Sequence, residues 1–414
     1  MRPAVRLLLP NSTPHLRLRN TAVIAAIALL TALLATASAQ AQTFTLLHYF
    51  RGAEGTFPNA GLVRDAAGNL YGTAPYGGSY QNCDNENGGG TVYGLNSSGT
   101  PILVHQFNHQ AAGCLPSSGL VLDPEGNLYG TTAYNTVYTV DSTGKATLVY
   151  QFLGVPDGSI PSGGLLRDAQ GNLFGTTQEG GYPSCSYLAG CGTIFKLDAS
   201  GKESVLYSFK GGEDGAHPQS NLIQDASGNL YGTAYNGGKL ACLNGCGSIF
   251  KLDPSGNLTV LYAFKGGADG SNPTTGLILD SANSLYGVTA NGGNLTCSGG
   301  RGRGCGTVFK LNASGVKTVL YSFLGGADGS GPAPGLAMDS AGNLYGASGG
   351  GDNRYDGTVF KIDANGKKTV LHQFNGIDGS GPNAGLILDG SGNLYGTTAS
   401  GGSYGQGTVF RIAP

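Results

Sequence analysis

Eight cysteines, a recurring acid, a few histidines and a group of tyrosines are the residues here with chemistry to offer. Cys185 and Cys191, Cys242 and Cys246, and Cys297 and Cys305 form close pairs, while Cys83 and Cys114 stand further apart. Thiolates so spaced can hold zinc or close disulfides. A zinc site would have to join two neighbouring pairs, and no His lies in those segments, so the reading is four disulfides and no metal centre. The acid recurs in a Gly-rich stretch that ends in Pro, as in FKGGADGSNP (264–273) and FLGGADGSGP (323–332). It is Asp157, Asp214, Asp269, Asp328 and Asp378 in five copies, Glu54 in a sixth and Ala112 in the seventh. One carboxylate per loop is thin coordination for calcium. A turn cap is favoured, and no cofactor is expected.

The histidines fall into a pattern. His48, His105 and His372 stand where Tyr207, Tyr262 and Tyr321 stand in related segments, which reads as a structural exchange. His109 and His217 are single residues without an evident catalytic partner. No GxSxG, HExxH, Walker A or Rossmann pattern occurs in a fitting context. The remaining signal is Tyr76, Tyr80, Tyr134, Tyr182, Tyr187, Tyr235, Tyr355 and Tyr404, set among Gly, Asn and Ser. Rigid amphipathic rings beside adaptable polar groups suit a recognition surface.

The elements that carry these residues repeat. Asn-Leu-Tyr-Gly or a near variant begins at Asn69, Asn127, Asn172, Asn229, Ser284, Asn343 and Asn393, at spacings of 58, 45, 57, 55, 59 and 50 residues. That is the range of sheet-forming repeats. Each copy has four apolar segments, for example NLIQD (221–225), NLYGT (229–233), GSIFKL (247–252) and TVLYAF (259–264). DxxGN joins the first to the second, and Asx-x-x-Gly joins the third to the fourth. Both are tight hairpin turns, so each repeat is a four-stranded antiparallel meander. The fourth segment is missing after GTVFRI (407–412), and its counterpart, TFTLLHYF (43–50), comes before all the others. A ring of seven sheets accounts for this if the early strand pairs beside the last one. The fold class is therefore all-β, a seven-bladed β-propeller of four-stranded blades spanning 43–414. Closure would leave only short, protected edges.

Abundant Gly (74 of 414), absent Trp and 12% charged residues agree with many short strands and turns. Residues 1–39 differ. Arg2, Arg6, Arg17 and Arg19 precede TAVIAAIALLTALLATA (21–37) and then ASAQAQ, the form of a secretory signal peptide cleaved after Ala39 or Ala41. Losing those four arginines moves the formal charge from −2 to −6. No basic stripe remains, which argues against a nucleic-acid partner. The expected mature chain is a monomer without a membrane span, secreted to an extracellular or periplasmic location.

LYGTT, GTVFKL, TVLYSF and GGADG together resemble the bacterial Gloeo/Verruco (GloVer) tandem repeat of secreted or surface β-propeller-like proteins. The resemblance covers essentially all of 43–414. It implies export and brings no catalytic mechanism with it.

In such a ring, the loop between second and third strands shares a face with the crossing to the next blade. Length variation falls there, from TTAYNTVYTV (131–140) to APYGGSYQNCDNENGG (74–89). All eight cysteines map to that face, and geometry pairs Cys83 with Cys114. The leading functional reading is a non-catalytic propeller that binds an extracellular protein or glycan through this face. The second is an extracellular polysaccharide hydrolase or lyase, with paired acids in a groove and help from Arg64, Arg167 and Gln224 on first strands. The third is a structural envelope component.

Overall fold

Strand pairing closes the ring in the register that the split repeat requires. In the computed structural model, Thr43–Tyr49 runs antiparallel to Thr408–Ala413, with Phe44 opposite Ile412, Leu46 opposite Phe410 and Tyr49 opposite Thr408. The structure describes residues 42–414 except 79–82, 84–86, 109–112, 183–184, 186–188, 240, 275, 301 and 351–355. The expected signal peptide, His109, Ala112, Tyr80, Tyr187 and Tyr355 lie outside the described residues. Among those described, no helix is long and apolar enough to cross a membrane.

Thr43–Ala413 is one compact unit of seven small antiparallel sheets, numbered here as blades 1 to 7 in chain order. In blade 4 the strands are Ile223–Gln224, Leu230–Asn236, Ser248–Leu252 and Leu258–Ala263. Blade 7 consists of Ile387–Leu388, Leu394–Thr398, Thr408–Ala413 and the returning Thr43–Tyr49. Blades 4, 5 and 6 differ from the four-strand expectation. Their entering crossings add a short fifth strand, at Ala216–Pro218, Ser271–Pro273 and Ser330–Pro332, paired to the end of the second strand.

The core is seven separate seams. Each buried cluster draws on two adjacent blades: Phe50, Leu70, Tyr93 and Val409 pack between blades 7 and 1, and Phe209, Leu230 and Phe250 between blades 3 and 4. Covering both faces of every blade is what the apolar, non-alternating strands need. The Phe that ends each fourth strand points into the next blade and meets its third-strand aromatic edge-on. The pairs Phe50–Tyr93, Phe107–Tyr138, Phe152–Phe195, Phe209–Phe250, Phe264–Phe309, Phe323–Phe360 and Phe374–Phe410 have centroids 4.8–5.3 Å apart. The same rings explain the Gly of Leu-Tyr-Gly. A Cβ on Gly232 would lie 2.6 Å from Phe250 Cζ, and one on Gly346 equally close to Phe360. The requirement is space for the ring, not unusual backbone. In blades 2, 3, 5, 6 and 7 a buried hydroxyl of the second strand pairs with one of the third, as at Thr177–Thr193 (2.8 Å) and Thr398–Thr408 (2.8 Å), whereas Ser248 of blade 4, opposite Ala234, has no such partner.

The Asp of DxxGN locks the inner hairpin. Asp225 accepts from the backbone N–H of Asn229 (2.9 Å), its side-chain amide (2.7 Å) and the Tyr231 hydroxyl (2.9 Å). The same set recurs at Asp65, Asp123, Asp339 and Asp389, and with Ser284 in place of Asn at Asp280. Burial works against the charge at these six carboxyls, but the hydrogen bonds outweigh it and hold each below its ordinary value. A depressed folded-state pKa gives stability that is present above the unfolded value and is lost as the pH falls through the folded one. Thermal stability should therefore fall sharply below about pH 4. Asp225→Asn should lower the melting temperature at pH 7 and converge on the parent below pH 3–4, roughly where the carboxylates protonate. A constant difference across that range would show that the hairpin charge is not what is lost.

Candidate functional site

Each crossing is tied to the blade that it enters and to the one that it leaves. The entering segment pairs with the end of the second strand, as Thr56 does with Tyr76 and Ser159 with Glu179. Crossings and second-to-third loops therefore share one face, as the sequence indicates. The four disulfides are Cys83–Cys114, Cys185–Cys191, Cys242–Cys246 and Cys297–Cys305, all on that face.

The crossing acid is a turn cap with a second task. Asp214 accepts from the backbone N–H of Lys210 (3.0 Å) and from the Tyr207 hydroxyl (2.9 Å), and Asp269 and Asp328 do the same with Tyr262 and Tyr321. Histidine replaces tyrosine in two of these contacts: His48 Nε2 meets Glu54 at 2.8 Å, and His372 Nε2 meets Asp378 at 2.8 Å. His105, whose crossing has Ala112 where the others have an acid, turns instead to the Gly144 carbonyl at 2.9 Å. The histidines are thus seam residues. Among the described residues, no three His, Cys, Asp or Glu side chains gather to suit a metal.

In blades 3, 5 and 6 a charged residue at the start of the fourth strand reaches the outer seam, a signal not read from the sequence. The Lys317 side chain, 1% exposed, bonds Asp269 at 2.9 Å and lies over the Tyr262, Phe264 and Phe309 rings. Lys368, 3% exposed, does the same with Asp328 at 2.8 Å. In blade 3 the equivalent residue is Glu203, facing Asp157. One of its carboxyl oxygens is buried without a partner, and burial together with the Asp157 charge pushes its pKa up to about 7. Aligning GKESVLYSF with GVKTVLYSF would have exposed this reversal.

The residue before Pro in every crossing has a positive φ: Phe57, Leu115, Ile160, His217, Asn272, Gly331 and Gly381, at 52° to 64°. The turn aims its backbone N–H at the loop of the preceding blade. Phe57 donates to Gln406 O (3.0 Å), His217 to Cys191 O (2.9 Å) and Asn272 to Cys246 O (2.8 Å).

Concave regions among the described residues include the following. An axial cavity of about 440 Å³ is lined by residues that follow the prolines, including Asn59, Ser117, Ser162, Gln219, Thr274 and Asn383, above Leu62, Leu120 and Leu386. Its described lining carries no charged side chain. A groove of about 440 Å³ between blades 4 and 5 is lined by Tyr235, Leu243, Asn244, Asn272, Leu295 and Arg303. A third, of about 460 Å³ between blades 7 and 1, is lined by Arg51, Phe57, Asn87, Tyr404 and Gln406.

The described tyrosines do not converge on one place. Tyr235 lines the 4–5 groove, and Tyr404, 53% exposed, lines the 7–1 groove beneath the Arg51 guanidinium at 5.2 Å. Tyr76 is half-buried against the edge of Phe57. Tyr182 is exposed and Tyr134 half-buried, and neither lines any of the three concave regions. Exposed apolar side chains are the stronger feature of this face: Leu153, Val155, Leu243, Leu295, Leu324 and Ile377 all sit in its crossings and loops. Arg64, Arg167 and Gln224 of the first strands do not line the axial cavity. Arg64 lies over the Tyr395 ring of blade 7, Arg167 acts on Asp123 of blade 2, and Gln224 bonds its own turn at Gly228.

Comparison with known proteins agrees with the architecture. Among solved structures the chain is similar to a streptogramin B lyase, at 13% identity and TM-score 0.59, over 90% of this chain and 97% of that one. A catalytically inactive virginiamycin B lyase from Staphylococcus aureus, solved with quinupristin, matches at 14% identity and TM-score 0.59, over 90% and 99% of the two chains. PorZ, a bacterial surface component of the type-IX secretion system of Porphyromonas gingivalis, matches at 14% identity and TM-score 0.51, over 89% of this chain and 48% of that one. At such identities the likeness shows the propeller fold alone, on proteins of varied function. No curated protein sequence matches. The profile of the Gloeobacter/Verrucomicrobia repeat matches residues 133–299 and 294–414. With two tandem matches across most of the ring, the chain belongs to the Gloeobacter/Verrucomicrobia repeat family.

Proposed function

We propose that this protein is a secreted, non-catalytic propeller that binds an extracellular protein or polysaccharide through its loop-bearing face. The observation that carries the reading is the concentration of exposed Leu, Ile, Val and Tyr side chains there, on the face that also carries the four disulfides. Exposed apolar side chains rimmed by polar ones mark interaction surfaces. Stiff loops reduce the ordering entropy that binding must overcome. Disulfides favour an oxidising compartment, which supports export. The hydrolase reading expects paired carboxylates in a groove. The described acids that act on each other, Asp157 and Glu203, meet instead at the outer seam of blades 2 and 3.

The test is a triple variant, Tyr182→Ala, Tyr235→Ala and Tyr404→Ala, screened with the parent on protein and glycan arrays. Partners retained by the parent should bind the variant at least about tenfold more weakly, as loss of aromatic anchors does. The melting temperature should shift by no more than about 2 °C, because these side chains lie outside the seams. Unchanged array binding would overturn the face assignment.

A further inference from the structure

The axial cavity draws its described lining from all seven blades, and that lining is unlike the seams. The residue after the crossing proline is Asn59, Ser117, Ser162, Gln219, Thr274 or Asn383 in six blades and Ala333 in blade 6. The six polar residues all line the cavity, and none of their side chains hydrogen-bonds another described residue. Ser162 Oγ and Thr274 Oγ1 are even buried without a partner. Buried hydroxyls are normally satisfied, and the open space beside these two is the cavity. The third residue after the proline is Gly in six blades and Asn221 in blade 4, and all seven line the cavity as well. Asn221 Oδ1 accepts from the Gly164 N–H of blade 3 at 2.7 Å, which fixes its exposed carboxamide among the glycines.

The described lining holds neither a charged side chain nor an aromatic ring, and Leu62, Leu120, Leu386 and Ile387 add apolar surface beside the amides and hydroxyls. We propose that this cavity is a binding site for a neutral sugar, either free or at the end of a glycan. The assignment rests on the binding-face reading above and narrows its ligand, since the crossings that carry these residues lie on the loop-bearing face. Amide and hydroxyl side chains both donate and accept, as sugar hydroxyls do. An anion or an ammonium group would use only half of that capacity, and would give up its hydration without meeting a counter-charge. A pyranose carries hydroxyls around its whole rim, and six blades present polar side chains around one axis. Its C–H faces need apolar surface, which the leucines supply. An extended peptide has no such circular array of polar groups. The volume of about 440 Å³ lies within the range of small-ligand sites.

The experiment combines Gln219→Ala with Asn383→Ala, after the Ala333 of blade 6, and takes Asn221→Gly, the residue of the other six blades, as a second variant. Both should melt within about 2 °C of the parent, because at most one hydrogen bond of the fold is given up. The full chain is titrated calorimetrically with a panel of free neutral mono- and disaccharides, and screened on an array of neutral, uronic-acid and sulfated glycans. Neutral sugars should bind the double variant at least about tenfold more weakly than the parent, and Asn221→Gly at least about threefold. A response to free sugars would identify a single ring as sufficient, and a response on the array alone would identify a glycan end. Parent affinity should hold between about 0.05 and 0.5 M salt, since no charge in the lining is there to be screened. Absence of any response to neutral sugars, a preference for acidic glycans, or variants that bind like the parent would each overturn the proposal. If the tyrosine triple variant loses its array partners while these variants keep theirs, the binding face stands and the axial assignment alone falls.

Discussion

Phe50→Ala is expected to destabilise the protein by about 3–5 kcal/mol, the usual effect of removing a fully buried aromatic ring. The loss should match that of Phe264→Ala to within about 2 kcal/mol, the spread usual for one large-to-small substitution at different buried sites. Phe50 is 1% exposed and meets Tyr93 at 4.8 Å, and Phe264 is fully buried and meets Phe309 at 5.3 Å. Phe264 lies in the middle of the chain, while Phe50 follows the strand that closes the ring. An open array would fray at its ends, because each repeat contacts only its neighbours and a terminal one lacks half of them. In a closed ring every seam has two sides. Urea unfolding of the two variants decides between the cases, and a much smaller loss at Phe50 would mean that the closing seam opens before the others.

Glu203→Lys should raise the melting temperature by a few degrees, more at pH 8 than at pH 5, the size of effect expected for repairing a charge at a half-buried seam. The parent has two carboxyls facing across the seam of blades 2 and 3, where blades 5 and 6 each place an ammonium group against the acid. Burial and Asp157 raise the Glu203 pKa from 4.5 to about 7. The folded chain then binds more protons than the unfolded one between those values. Its stability therefore falls as the pH rises from about 4.5 to 7, opposite in sign to the hairpin aspartates. Lysine would reverse the repulsion and add the ring contacts seen at Lys317 and Lys368. Calorimetry at pH 5 and pH 8 is sufficient. A lower melting temperature at both would show that the rings of Tyr150 and Phe152 cannot seat the ammonium.

Ring number, blade order and closure were legible in the sequence because each depends on a motif that repeats. Leu-Tyr-Gly counts the blades, and TFTLLHYF supplies the strand that GTVFRI lacks. The hairpin aspartates were legible as turns, since Asp, Gly and Asn act locally. Cys83–Cys114 was legible once the ring set the faces. The pairing of each crossing acid with Tyr or His was only half visible. His48 and His372 were recognised as substitutes for Tyr, but what they substituted in was a hydrogen bond across a turn, which an alignment of apolar segments does not show.

The sequence by itself determined the all-β class, the seven repeats and the face that carries loops and disulfides, because period and turn chemistry are properties of neighbouring residues. Tertiary structure alone decided that Tyr235 and Tyr404 line separate grooves, that Glu203 meets Asp157, and that seven residues of unlike type share one left-handed backbone conformation. Phe, Leu, Ile, His, Asn and Gly have no side-chain chemistry in common. What unites them is a backbone N–H directed at the preceding blade, and every residue type except proline carries that group.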